Sequence, residues 1–274
     1  MTWLYEGNWA EAVTSNWQLL FVTLTCSLAC NLYITGLNQL SDIEIDRINK
    51  PWLPLAAGNI TLLQGKWIVG IAGMTALVTA AFSNYVLFIL IAVIMAIGTA
   101  YSLPPFRLKQ HHVLAAICIL LVRGLLVNIF MPVYFIYAAT EKLTLPPDVW
   151  PLAFFVVGFS LAIAWFKDIP DTEGDKAYSI NTLAVKITPK RAFQFGVLAV
   201  AISITGMVLL ALILRLQVNP IVFYPGNALL LMAFLLGASK VHLSNAANIK
   251  RYYLGFWGFF FTAYILYALA FVLY

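Results

Sequence analysis

The chain has 274 residues, of which 62% are hydrophobic, 15% aromatic and only 10% charged. Soluble domains carry about 25% charged residues, so this balance excludes a soluble enzyme, a disordered chain and a nucleic-acid binder. Long apolar runs, without the short alternating segments of a membrane β-barrel, predict an all-α polytopic membrane bundle in a single domain spanning residues 1–274.

Eight segments are long and apolar enough to span a bilayer: Gln18–Leu37, Trp67–Phe82, Tyr85–Tyr101, Val113–Ala139, Pro151–Phe166, Ala192–Leu214, Ile221–Ala238 and Leu254–Tyr274. The second and fifth are short and are expected to extend into their flanking loops. The fourth is long, and Pro132 is expected to kink or break it. Trp17, Trp67, Trp150 and Trp165 stand at span ends, where an interfacial aromatic belt places them. Cys26, Cys30 and Cys118 all lie in apolar runs and read as small core residues, not as a disulfide framework or a zinc site. Residues 1–15 carry Glu6 and Glu11 but no Lys or Arg, so the basic region of a cleavable signal peptide is not seen there.

The net charge of +5 is distributed unevenly. Thirteen of the sixteen basic residues fall in the loops at 38–66, 102–112, 167–191 and 239–253, only Lys142 and Arg215 fall on the opposite side, and Arg123 lies within a span. The positive-inside rule turns these four loops toward the cytoplasm. Seven of the eleven acidic residues fall in two short stretches on that same side: Asp42, Glu44 and Asp46, then Asp168, Asp171, Glu173 and Asp175. Each follows a span, four spans apart, which suggests two pseudo-equivalent four-helix halves around a central cavity.

Asn38, Asp42 and Asp46 are spaced i, i+4, i+8, so a continuing helix would stack them on one face. Asp168, Asp171 and Asp175, at i, i+3, i+7, share a face in the same way, while Glu44 and Glu173 project elsewhere. Carboxylates crowded at a membrane boundary repel one another unless a cation sits among them. An oxygen-only ligand set favours Mg²⁺, which takes one or two carboxylates together with waters and substrate phosphate oxygens. A diphosphate is therefore the natural client. Competing readings are a solvated acidic helix end, or a Ca²⁺ or Na⁺ site in a cation-coupled transporter. The transporter would place its acids near the bilayer midplane instead of at span ends.

Three segments carry a family resemblance: NQLSDIEIDRINKPWLPLAAG at 38–58, YSLPPFRLK at 101–109 and KDIPDTEGD at 167–175. They resemble the UbiA-type intramembrane aromatic prenyltransferases, in particular the homogentisate prenyltransferase group and its phytyl-transferring members. The first two-Asp motif is shared across the superfamily; the Asn-Gln opening and the Asn-Lys-Pro-x-Leu-Pro-Leu-Ala run are more specific. The resemblance implies Mg²⁺-dependent transfer of a prenyl group, phytyl first, from prenyl diphosphate to homogentisate with decarboxylation, within membrane lipid of a cyanobacterium or plastid. Chlorophyllide or 4-hydroxybenzoate as acceptor is the alternative inside the superfamily, and a non-catalytic homologue a further one. The family has nine spans, so the first helix is expected to be missing or truncated before residue 17.

On this reading Asp42 and Asp46 hold one Mg²⁺, and Asp171 and Asp175 hold another. Asn38 joins the first site or orients its carboxylates. Arg47, Lys50, Arg107 and Lys109 are candidates for the diphosphate. Lys167 and Asp168 are further substrate-site candidates that can also pair with each other. Tyr101 either contacts the substrate or is an ordinary belt tyrosine. Arg123 either binds the homogentisate carboxylate or partners a buried acceptor such as Asn128. His111, His112 and His242 read as surface residues.

Overall fold

The computed structural model describes residues 17–169, 172, 183–243 and 246–274, apart from the side chains of Asn49, His112, Lys167, Asp168, Ala246, Ala247 and Lys250. In chain order the helices are α1 (Trp17–Ser41), α2 (Ile43–Asn49), α3 (Leu62–Ser83), α4 (Tyr85–Ser102), α5 (His112–Ile119), α6 (Met131–Thr140), α7 (Val149–Asp168), α8 (Leu183–Ile187), α9 (Pro189–Ile213), α10 (Pro220–Ser239) and α11 (Ala246–Val272). A 3₁₀ turn, Leu108–Gln110, precedes α5, and a π-helix, Leu120–Phe130, joins α5 to α6. No β-strand occurs among the described residues. Among the described residues eight helices are long and apolar enough to cross a membrane, one for each expected span. The chain is an all-helical integral membrane protein. Cys26, Cys30 and Cys118 are free and buried, as expected.

Side-chain caps set several helix limits. Thr61 and Gln64 form a reciprocal capping box, with Gln64 N–H donating to Thr61 Oγ1 at 3.2 Å and Thr61 N–H donating to Gln64 Oε1 at 2.9 Å. The second span therefore starts at Leu62, five residues before its apolar run, and Asn84 caps the next helix by accepting from Leu87 N–H at 3.1 Å.

The fourth span differs from its expectation. It passes Pro132 without a break, because the chain has already widened into the π-helix ahead of it. Asn128 Nδ2 donates to the carbonyls of Arg123, at 2.5 Å, and Gly124, at 3.4 Å, so a side chain helps to satisfy the rewound backbone.

The chain divides into two compact units. One comprises Met1–Cys118 with Val133–Thr144, the other Ile119–Pro132 with Leu145–Tyr274, so the boundary runs through the fourth span and not after it. The π-helix belongs with the second unit because Gly124 leaves room for Val157 of α7; a Cβ there would meet Val157 Cγ2 at 2.7 Å.

In the first unit α1 packs on α3 and α4 through small residues. Gly73 seats the Tyr33 ring, and Tyr33 Oη lies 2.8 Å from Thr99 Oγ1. Tyr134, fully buried, accepts from Thr23 Oγ1 at 3.1 Å and lies 3.0 Å from Ser83 Oγ, so its hydroxyl is satisfied in the apolar interior.

The second unit is built on aromatic packing. Phe159 stacks on Phe256 at 4.1 Å between ring centroids, and Phe166 meets Phe193, Tyr252 and Phe256. Gly196 of α9 lies directly against the Phe166 ring, whereas Gly70 of α3 faces open space. We predict that Gly196→Ala lowers the unfolding temperature in detergent: overpacking costs about 1–3 kcal/mol, more than the roughly 1 kcal/mol gained from helix propensity. Gly70→Ala should raise it, since there only the propensity changes.

Asp148 precedes α7 and is 4% exposed, with Oδ1 unpartnered among the described residues. Burial pushes its carboxyl above the usual carboxylate range. A carboxylate whose folded pKa is raised weakens the fold as pH rises through that pKa, and the penalty disappears once both states are protonated. Asp148→Asn should therefore raise the unfolding temperature at neutral pH, and the gap to wild type should close as pH falls through the acid range.

Candidate active site

The first acidic stretch lies where α1 ends. The helix does not continue through it: Asp42 adopts φ −122° and ψ 17°, interrupting the winding, and α2 restarts at Ile43. The expected unbroken i, i+4, i+8 stack is thus replaced by a helical break centred on Asp42. Its backbone remains tied on both sides, by Asp42 N–H to Gln39 O at 3.3 Å and by Asp46 N–H to Asp42 O at 2.7 Å. Freed from helical geometry, the Asp42 carboxylate comes beside the side chains of Ser41 and Asn38.

The segment after α4 supplies the matching cations. Arg107 takes a left-handed backbone, φ 38°, immediately before the 3₁₀ turn, and this sends Lys109 back toward α1. Lys109 Nζ donates to Asp42 Oδ2 at 2.6 Å, to Ser41 Oγ at 2.6 Å and to Asn38 Oδ1 at 3.0 Å. Arg107 Nη2 reaches Asp42 Oδ1 and Ser41 O, both at 3.4 Å. Arg107 Nε is buried and has no hydrogen-bond partner among the described residues. An orphaned guanidinium donor beside a bound carboxylate suits an additional anionic oxygen.

Asp46 is 7% exposed. Burial pushes its carboxyl above the ordinary range, Asp42 adds to that, and the positive charges of Lys50 and Lys109 pull the other way. Lys50 thus acts electrostatically on Asp46. Arg47 pairs with Glu44 at 2.9 Å, both on the exposed side, so the structure does not bring it to Asp42. Tyr101 is half-buried at the end of α4. The loop between α2 and α3 is pinned by Leu55, which is buried against Leu40 and Gly65, and turns at Gly58, whose φ of 76° suits glycine.

Asp171 and Asp175, and the side chains of Lys167 and Asp168, lie outside the described residues. Of that stretch Ile169 and Thr172 are buried, with Thr172 Oγ1 donating to Ile169 O at 2.7 Å. Among the described residues no group of three or more His, Cys, Asp or Glu side chains is arranged to hold a metal. The first site instead offers the Asp42 carboxylate with an amide and a hydroxyl oxygen, with Asp46 linked to it electrostatically, oxygen donors of the kind that Mg²⁺ uses together with water and phosphate.

Arg123 belongs to the second unit. Its guanidinium lies 5.1 Å from the centre of the Trp257 ring, and its carbonyl accepts from Asn128. Tyr264 Oη donates to Asn128 Oδ1 at 2.6 Å. A cation within a span is thereby held by an aromatic face, with no ion pair to an acid among the described residues. Ser41, Trp257 and Tyr264 were not singled out from the sequence. Ser41 is adjacent to Asp42, and Trp257 and Tyr264 share a helix face at i, i+7, but both patterns are common in membrane helices.

The polytopic helical fold thus gathers Asp, Asn, Arg and Lys side chains at one helix end. Residues 7–272 match the UbiA prenyltransferase family, and the chain belongs to that family; it is a prenyltransferase. It is 39% identical over 271 residues to homogentisate phytyltransferase of Synechocystis sp., covering 98% of this chain and 87% of that protein. It is 34% identical over 253 residues to homogentisate geranylgeranyltransferase of Hordeum vulgare, covering 89% of this chain and 60% of that protein. In fold it is similar to a UbiA homologue from Archaeoglobus fulgidus solved with GPP and Mg²⁺, with a TM-score of 0.59 and 20% identity, covering 90% of this chain and 87% of that one.

Proposed function

We propose that the protein transfers a phytyl group from phytyl diphosphate to homogentisate, with loss of the acceptor's carboxyl group as CO₂, in a Mg²⁺-dependent reaction of prenylquinone and tocopherol synthesis. The observation that carries this reading is the convergence of Asn38, Asp42, Arg107 and Lys109 at the end of α1. It is supported by the likeness to the Synechocystis phytyltransferase. The alternative donor, geranylgeranyl diphosphate, has the same head and differs only in the tail.

Asp42 and Asp46 would hold one Mg²⁺ with Asn38, and Asp171 and Asp175 a second. The ions supply positive charge to the departing diphosphate. Arg107 and Lys109 bind the diphosphate oxygens and neutralise charge as the allylic carbon–oxygen bond breaks. Lys50 adds long-range positive charge, while Arg47, Tyr101, Lys167 and Asp168 are peripheral candidates. The aromatic ring attacks the allylic carbon and regains aromaticity by losing the proton at the attacked ring carbon; the bond from the side-chain CH₂ to the carboxyl carbon breaks with release of CO₂, and its electron pair takes up a proton to leave the ring methyl group. Arg123 binds the acceptor's carboxylate. The site faces the cytoplasmic or stromal side of a cyanobacterial or plastid membrane, a reading supported by the basic residues of the loops around it.

Incubation of the purified protein with Mg²⁺, phytyl diphosphate and homogentisate should yield a methyl-phytyl-benzoquinol; transfer only to 4-hydroxybenzoate or chlorophyllide would replace the acceptor assignment. Asp42→Ala, Asp46→Ala, Asp171→Ala and Asp175→Ala should each lower turnover by about 10²–10³, with unfolding temperatures close to wild type. Near-normal activity in any two of them would refute the metal assignment. Arg123→Met should raise the KM for homogentisate about tenfold or more, as expected for a lost hydrogen bond to a charged group, while leaving the KM for phytyl diphosphate unchanged.

A further inference from the structure

The three oxygens that surround Lys109 come from positions i, i+3 and i+4 at the end of α1, Asn38 Oδ1, Ser41 Oγ and Asp42 Oδ2, at 3.0, 2.6 and 2.6 Å from one nitrogen. An ammonium gripped by three oxygens is a cation in a cation's place. The contact is well shielded: the Lys109 and Asp42 side chains are only 12% and 15% exposed. A Mg²⁺ ion using Asp42 and Asn38 would need these same oxygens, and two cations cannot share them. Resting on the metal assignment made above, we propose that Lys109 is an internal counter-cation of the first metal site, displaced from Asn38, Ser41 and Asp42 when the metal–diphosphate complex enters and transferred to the diphosphate oxygens.

The geometry favours such an exchange. Lys109 belongs to the short 3₁₀ turn after Arg107, on a different segment from the oxygens that hold it, so its four-carbon stem can swing without moving α1. Arg107 Nη2 stays near Asp42 Oδ1 through a longer contact of 3.4 Å, and its unpartnered Nε is available to the same incoming anion. The free metal must break the Lys109 contacts with no return, whereas the metal–diphosphate complex gives Lys109 new oxygens. Lys109 therefore couples metal entry to diphosphate entry, in the sense that each ligand improves the site for the other. Until that exchange it keeps the cradle closed against bare metal.

The test uses the full chain in detergent, with Mn²⁺ binding read by electron paramagnetic resonance, so no turnover is needed. Two probes are titrated separately, free Mn²⁺ and the preformed Mn²⁺–pyrophosphate complex, against wild type, Lys109→Met, Lys109→Gln and the exposed-site control Lys66→Met. Removing the competing charge should make free Mn²⁺ bind about tenfold tighter to both Lys109 variants, on the scale of a partly buried ion pair. The same variants should bind the pyrophosphate complex about tenfold more weakly, because a phosphate contact is lost. A merely structural role would move both affinities in one direction. Unchanged or weaker binding of free Mn²⁺ by folded Lys109→Met and Lys109→Gln would overturn the exchange. Tighter binding of both probes would overturn the transfer to diphosphate. Wild type that binds neither probe would overturn the metal assignment itself, and the exchange with it.

Discussion

Negative charge held at a membrane boundary has to be matched by positive charge, and the arrangement of the first unit follows from that requirement. Water is scarce there, the effective dielectric is low, and paired carboxylates raise each other's cost. At Asp46, burial and the neighbouring Asp42 both disfavour the ionised form, and the charges of Lys50 and Lys109 act against them. The break at Asp42, the left-handed turn at Arg107 and the return of Lys109 toward α1 bring opposite charges together without burying either one alone. The two carboxylates are thus tolerated in the company of cations.

The second unit is held together differently, by aromatic packing in its interior. The aromatic residues Phe155, Phe159, Phe256 and Phe260 pack as one continuous stack. Arg123 is the exception in this apolar setting, and its tolerance depends on Trp257 beneath it and on the π-helix that carries it. The widened turn is maintained by Asn128, whose amide reaches back to the Arg123 carbonyl while its oxygen accepts from Tyr264. Such a departure from α-helical winding leaves backbone groups that only specific side chains satisfy, which is why polar residues persist in an otherwise hydrocarbon-like segment.

Small residues make both units possible. Lipid tails are as apolar as leucine, so helices associate through close contact more than through hydrophobic exclusion. Gly73 against Tyr33, Gly124 against Val157 and Gly196 against Phe166 each let a bulky neighbour approach a helix backbone. The same contacts explain why the fourth span divides between the units: at Gly124 it packs on α7, whereas Tyr134 ten residues later is bonded to Thr23 and Ser83.

The amino-acid sequence by itself determined the number and position of the spans, the all-helical class, the family, and the residue types of the site. Hydrophobic length and charge asymmetry are local properties of a chain in a bilayer, and the Asp motifs are contiguous, so both can be read in one dimension. Tertiary structure alone decided which cations meet which oxygens. Arg47 and Lys109 are equally plausible partners in sequence, yet Arg47 is held three residues away by Glu44, while Lys109, sixty-seven positions from Asp42, closes on it. Helix limits also escaped the apolar pattern where polar caps or a backbone break set them, at Thr61 and at Asp42. The continuity past Pro132 and the seat of Arg123 on Trp257 depend on neighbours from another helix, and no spacing rule within one segment contains them. Burial and pairing are collective quantities, settled only when distant parts of the chain share one volume.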